Sequence, residues 1–322
     1  MTRLREKCAQ LAKRVLWHAS SDLYRRTIKP YPGQVFSIGI AQSPTIQLDP
    51  EHGLHIEPPA SPSITHNLVT DFPAAFVADP FMLHKNGTWY LYFEALNELK
   101  WNGDIALATS SDLTHWQYEG RVLDEPFHCA YPYVFEADGQ VYMIPDTPDA
   151  GVRLYQADEF PKQWHYIKTL LPGPGLSDAT LFQHDGEWWM FVARSKPQHK
   201  TCNYYELLLY TSSDIHGEWK RHPSSPLLKS NSGARPGGRV FKHNNTFLRF
   251  GQDGKHAYGH RLLAAEVTAL DASHYAESLC QAPVLAPQMA QWCRDGMHHL
   301  DLHEHNQQLV ACMDGWHWSD TP

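Results

Sequence analysis

The residues with the most chemical potential recur at fixed places along the chain. Asp79, Tyr131, Asp178, Arg235 and His298 each open a predicted strand, and Glu94, Asp146, Arg194, Asp253 and Asp314 each close the strand that follows. Two carboxyl groups facing one pocket can divide labour, one as base or nucleophile and the other as proton donor or pKa modulator. Charges gathered beside one axis also perturb one another's ionisation. An aspartate ahead of a strand is equally a turn former that bonds its own backbone, so pairing alone has low specificity.

Two further groups stand out. In RPGGR (235–239), Arg235 and Arg239 flank Gly237 and Gly238, an arrangement that can offer guanidinium groups and close backbone N–H groups to a phosphate. The competing reading is a glycine kink whose arginines pair with Asp178 or Asp253. Among the 21 histidines, His298, His299, His303 and His305 cluster, and strand alternation puts the last three on one side and His298 on the other. A hydrogen-bonding role is expected for them, since no HExxH zinc spacing occurs; Walker A and GxGxxG patterns are absent as well.

These residues need elements that bring them together, and the chain supplies them as a repeat. DPFMLHKNGTWYLYFE (79–94), YPYVFEADGQVYMIPD (131–146) and DATLFQHDGEWWMFVA (178–193) are each strand, turn and strand, with Asn86-Gly87, Asp138-Gly139 and Asp185-Gly186 at one offset. Two degenerate copies follow at 235–253 and 298–314, with Asn245 and Asn306 at the glycine position. The second half of a unit is a third strand, a turn and a tryptophan, as at Trp116, Trp164 and Trp219, which are assigned to packing between units. Trp188 and Trp189 alternate across one strand, so at most one can face a ligand. Four-stranded units of roughly 50 residues, five times over, predict an all-β five-bladed β-propeller. The last unit lacks a strand, and SIGIAQS (37–43) resembles DIALATS (104–110), so the N-terminal strand is expected to close the ring.

The domain reading is a basic amphipathic extension over 1–30 and the propeller over 34–322. Leu4, Cys8, Leu11 and Val15 form one apolar helical stripe, and residues 1–30 hold eight basic residues against two acidic ones. That segment is net +6 and the whole chain −8, so the remainder carries −14. Nucleic acid is therefore not an expected partner of the body. The extension is either a solvated helix packed on the propeller or an anchor on an anionic membrane surface. Six scattered cysteines and the lack of an apolar leader lead to an expected cytoplasmic location, with peripheral attachment at the inner membrane face as the extension's alternative.

Two resemblances sharpen the reading. ADPF (78–81) and SDA (177–179) resemble the base and the pKa-modulating aspartate of the family-43 glycoside hydrolases and their five-bladed relatives. That likeness implies a glutamate acid on blade four, where this chain has RPGGR; it also leaves open a calcium ion at the axis, with no cofactor otherwise required. ADPF, GDI (103–105), EPFH (125–128), YPYVFE (131–136), YMIPD (142–146), RLYQADEFPKQW (153–164), ARPGG (234–238), GQD (251–253) and YG (258–259) together are similar to the propeller family of the glucosamine inositolphosphorylceramide transferase N-terminal domain. That similarity covers nearly all of 36–315 and implies glycolipid or polysaccharide assembly, although in the plant proteins a separate domain is thought to perform transfer.

The expected function is a glycosyltransferase, furanosyl transfer being one option, using a phosphate-activated sugar donor. Asp79 is the expected base and Asp178 the stabiliser of developing positive charge, with Glu94 and Asp146 as further catalytic carboxyls. His128, Tyr131, Arg235, Gly237, Gly238, Arg239, Asp253, His298 and His299 are the expected substrate contacts. The alternatives are an inverting hydrolase with Glu94 or Asp146 as acid, and a non-catalytic glycan-binding propeller.

Overall fold

The computed structural model describes residues 2–20, 33–49, 53–199, 202–243, 246–280 and 282–319. Its strands form five antiparallel blades. Blade one runs Ala74–Lys85, Thr88–Asn97, Asn102–Ser110 and Gln117–Leu123, and blade two Ala130–Ala137, Gln140–Asp146, Val152–Glu159 and Gln163–Leu171. Blade three runs Leu176–His184, Glu187–His199, Cys202–Ser212 and Lys220–Arg221, with Leu228–Ser230 also on its third strand. Blade four is irregular: Ser232–Pro236 and Phe241–His243 both pair with Thr246–Asp253, followed by Arg261–Leu270 and Tyr275–Leu279.

The turns explain the register. Asn86, Gly87, Asp138, Gly139, Asp185 and Gly186 all have positive φ, as the tight hairpin turn requires at both central positions. In blade five Asn306 and Gln307 adopt the same conformation at φ 50° and 64°, without glycine. Asn245 lies outside the described residues.

Ring closure occurs as the sequence predicts. Blade five consists of Leu300–His305, Gln308–Trp318 and the N-terminal strand Gln34–Gln42, which pairs antiparallel with Gln308–Trp318 through Ile38↔Asp314. Pairing the two chain ends removes an open edge between first and last blade. A separate hairpin, Ile46–Asp49 with Gly53–Ile56, follows.

The core lies in the seams between blades. Trp164 of blade two stands edge-on to Tyr92 of blade one at 5.6 Å, and Trp116 and Trp219 join clusters shared with neighbouring blades. Each indole N–H also donates to a carbonyl three or four residues back, Leu113, Pro161 and Ile215 respectively, so one side chain both pins its turn and fills a seam. Trp188 packs on Phe135 and Trp189 near His222, so neither is available to a ligand at the axis.

The N-terminal helix spans Thr2–Ala19. Residues 21–32, which complete the predicted extension, lie outside the described residues. Among the described residues no helix is long and apolar enough to cross a membrane.

Candidate active site

Three first strands carry an irregularity at the same place. The ladder passes from Ala78↔Glu94 to Phe81↔Tyr92 in blade one, from Ala130↔Asp146 to Tyr133↔Ile144 in blade two, and from Ser177↔Ala193 to Thr180↔Phe191 in blade three. At each of these bulges Asp79, Tyr131 and Asp178 sit in the left-handed region at φ 51°, 46° and 56°. A non-glycine residue held there costs about 1–3 kcal/mol, and such strain concentrates at functional sites. A bulge re-aims a side chain, and here all three reach across to other blades.

Asp79 meets blade five. Its N–H donates to Asp314 Oδ2 at 3.0 Å, and its Oδ1 lies 3.9 Å from His298 Nε2 and 3.8 Å from His299 Nδ1. Asp314 Oδ1 accepts the backbone N–H groups of His298 and His299 and lies 2.8 Å from His298 Nδ1. His298 Nε2 is 3.3 Å from the Tyr258 hydroxyl. His299 packs instead against Phe81 and Tyr131, with its Nε2 on the Pro80 carbonyl. The predicted alternation holds, because His303 and His305 follow His299 toward blade one, against Trp89.

Asp178 meets blade four. Arg235 grips it through Nε at 2.5 Å and Nη2 at 3.1 Å, and Gln252 Nε2 donates to its Oδ2 at 2.8 Å. The guanidinium lies between the rings of Tyr205 and Tyr258, 5.7 and 5.5 Å from their centroids, and Nη2 is 3.8 Å from Asp146 Oδ2. Glu94 faces His128 at 3.6 Å, and His128 Nδ1 accepts the Gly103 N–H, which aims Nε2 at the carboxyl. Gly103 is required there: a Cβ would fall 2.7 Å from Glu94 Oε1 and 2.3 Å from the Cys129 carbonyl.

Burial sets the protonation pattern. The Asp79 carboxyl is pushed up to about 7, chiefly by burial; His298 opposes the rise, while the charges of Asp314 and Asp178 add to it. Glu94 and Asp146 are held well above the usual carboxylate range, again by burial and then by neighbouring acids. Burial would also raise Asp314, but His298 holds it below its ordinary value, and Asp314 in turn raises His298 against the pull of burial. Burial lowers His299 to about 4. The axis therefore presents Glu94 and Asp146 shifted toward their protonated forms, neutral His299, Asp314 and His298 each shifted toward its charged form, and Asp79 poised to gain or lose a proton near neutral pH. Asp146 Oδ1 and His299 Nδ1 are buried without a hydrogen-bond partner among the described residues. Such atoms are costly unless a ligand or water meets them.

Other predicted contacts belong elsewhere. Arg239 does not accompany Arg235: its Nε holds Asp301 Oδ1 at 2.6 Å and its Nη2 donates to the Val134 carbonyl at 2.9 Å, which consumes the guanidinium inside the ring. Nor do Gly237 and Gly238 form a phosphate cradle, because their N–H groups donate to the Phe250 carbonyl and the Tyr131 hydroxyl. Glycine is needed for close approach, since a Cβ on Gly238 would meet the Leu300 carbonyl at 1.7 Å. Asp253 binds Arg261 at 2.7 Å and Arg194 binds Glu206, both away from the cluster.

The last two misplacements share a cause. The ladder makes Ala193 the counterpart of Glu94, and in the irregular blade four Gln252 reaches Asp178. One residue of register moves a side chain to the other face. Tyr205, Tyr258 and Gln252 are the site residues the repeat did not supply; only YG (258–259) and GQD (251–253) carried a signal. Asp79, His298 and Asp314 offer ligand atoms within 4.8 Å of one another, close enough for a metal. A calcium shell of about six to eight oxygens does not fit them, because both Asp314 oxygens already accept N–H groups.

Comparison with known proteins adds lineage to this geometry. The family described as glucosamine inositolphosphorylceramide transferase 1, N-terminal, matches residues 51–316. The chain belongs to that family. Glucosamine inositolphosphorylceramide transferase 1 of Oryza sativa subsp. japonica is 34% identical over 271 residues, and that of Arabidopsis thaliana 32% over 267; each alignment covers 80% of this chain. The chain spans only 36% and 35% of those proteins. Among solved structures, the family 117 glycoside hydrolase Zg3597 of Zobellia galactanivorans aligns with TM-score 0.53 at 16% identity, covering 74% of this chain and 84% of its own. A Cellvibrio cellulosa alpha-L-arabinanase complexed with arabinohexaose aligns with TM-score 0.54 at 13% identity, covering 78% and 93%. At such identity the likeness establishes the propeller fold shared with glycoside hydrolases.

Proposed function

We propose that this propeller is a carbohydrate-active enzyme that transfers a glycosyl unit to an acceptor hydroxyl in glycolipid or surface-polysaccharide assembly, with Asp79 as the base. The observation that carries the reading is Asp79 itself, a buried carboxyl held on a strained bulge with its pKa near 7, beside buried polar atoms that lack partners. Ionised Asp79 takes the acceptor proton as the new glycosidic bond forms and the donor's leaving group departs. Asp178, locked by Arg235 and Gln252, keeps negative charge beside the developing oxocarbenium character. Arg235 is the cation within the cluster for a phosphate leaving group, whereas Arg239 is committed to Asp301 and the Val134 carbonyl. The transferase names of the relatives agree with this direction.

One observation favours a second reading, inverting hydrolysis. Glu94 and Asp146 are buried carboxyls whose pKa is raised well above the usual carboxylate range, which favours the protonated form, so either can serve as the acid that blade four lacks. Incubation with phosphosugar donors and lipid or oligosaccharide acceptors, beside chromogenic furanosides and pyranosides, separates the two. Donor-dependent product formed by wild type and lost in Asp79→Asn supports transfer. Release from a plain glycoside without a donor establishes hydrolysis, and sugar binding with no turnover of any substrate leaves a binding module.

A further inference from the structure

The N-terminal helix has two opposed faces. Lys13 Nζ lies 5.4 Å over the ring of Trp101, and Trp17, one turn further on, is buried. Leu11 and Val15, also one turn apart, are 63% and 61% exposed. Two residues are about 200° of helical rotation, so the pair Lys13 and Trp17 and the pair Leu11 and Val15 occupy opposite sides. The apolar stripe of the helix thus points outward at both positions where its side chains are described.

Charge and place identify what would cover this face. Residues 1–30 are net +6 while the remaining chain is −14. An anionic surface therefore attracts this end and repels the body, which orients the molecule. Trp101, itself 45% exposed, belongs to the turn between Thr88–Asn97 and Asn102–Ser110. Gly103, two residues later, walls the Glu94–His128 pair, so the helix sits at the end of blade one that carries the axial cluster. Exposed leucine and valine beside arginine, lysine and an interfacial tryptophan make a surface suited to a bilayer interface.

We infer that the helix Thr2–Ala19, with Leu11 and Val15 outermost, docks the propeller on an anionic lipid bilayer, with the axial cluster's end of blade one toward the lipid. This inference stands apart from the proposed glycosyl transfer, because docking needs no turnover. Flotation of the full chain with phosphatidylcholine vesicles containing phosphatidylglycerol, against pure phosphatidylcholine, tests it. Binding is expected only to the anionic vesicles and should be lost in high salt. A Leu11→Glu/Val15→Glu variant should bind at least tenfold more weakly with unchanged thermal unfolding, and Arg14→Glu should weaken binding severalfold. Equal binding to both vesicles, no binding at low salt, or an unaffected double variant would overturn it. So would sedimentation showing dimers of the wild type that the double variant abolishes, since a second copy would then own the face.

Discussion

Arg235 and Arg239 lie four residues apart on blade four, each holding a buried aspartate, and they do opposite jobs. Around Arg239 the ion pair is tied inward: Asp301 accepts its Nε, the Val134 carbonyl its Nη2, and the other Asp301 oxygen takes the Met82 N–H at 2.7 Å and lies 2.8 Å from His303 Nε2. Blades one, two, four and five are tied through one ion pair. Around Arg235 satisfaction is incomplete. The guanidinium grips Asp178 between two tyrosines, but Asp146 Oδ1 beside it has no hydrogen-bond partner among the described residues. The same residue types become a strut where all hydrogen bonds close internally and a site where some are left for a ligand.

That contrast can be broken by mutation. Arg239→Ala takes the guanidinium from buried Asp301, leaving it only the Met82 N–H and His303, strips the Val134 carbonyl of its donor, and should cost about 3–5 kcal/mol of stability in urea unfolding while sparing sugar affinity of the folded fraction. If unfolding were unchanged, Arg239 would not be a strut. Asp79→Asn keeps a residue tolerant of the left-handed region and should lower turnover about 10²- to 10⁴-fold with circular dichroism unaltered. Arg235→Ala should cost less stability than Arg239→Ala, about 1–3 kcal/mol, because Gln252 still donates to Asp178 and, among the described residues, Arg235 holds no backbone carbonyl of another blade as Arg239 holds that of Val134. Its main effect should be on donor affinity, measured calorimetrically.

The pH dependence follows from burial. Asp79 rises from 3.8 toward about 7 on folding, so the native state binds more protons than the unfolded one between those values. Stability should therefore fall as pH rises through that window, by about 1.4 kcal/mol per unit at most from this group, and Asp79→Asn should flatten the slope. Turnover dependent on ionised Asp79 should instead rise through about 7. The smallest effect lies outside both regions: Gln307→Gly, at φ 64°, should raise the melting temperature slightly, by up to about 1 kcal/mol of stability, and leave ligand binding alone.

The sequence by itself determined the blades, their order and the closing strand. Those features rest on local information: period-two alternation, two-residue turns at Asn86, Asp138 and Asp185, and one tryptophan per unit. It also brought Asp79, Tyr131, Asp178, Glu94, Asp146 and His298 to one end of the ring, because equivalent positions in a repeat become neighbours around an axis. Only the tertiary structure decided which charges are spent. Asp253 and Arg194 missed the cluster by one residue of register: the ladder sets Ala193, not Arg194, opposite Ser177, and in blade four the shift falls between Ser232↔Asp253 and Arg235↔Gln252. Arg239, Gly237 and Gly238 were lost to internal bonds: Asp301 and the Val134 carbonyl take the Arg239 guanidinium, the Tyr131 hydroxyl accepts the Gly238 N–H, and the Phe250 carbonyl of the same blade accepts the Gly237 N–H. Chain-distant partners such as Asp301 and Val134 set that outcome, and nothing in the local spacing of RPGGR encodes where those carbonyls lie.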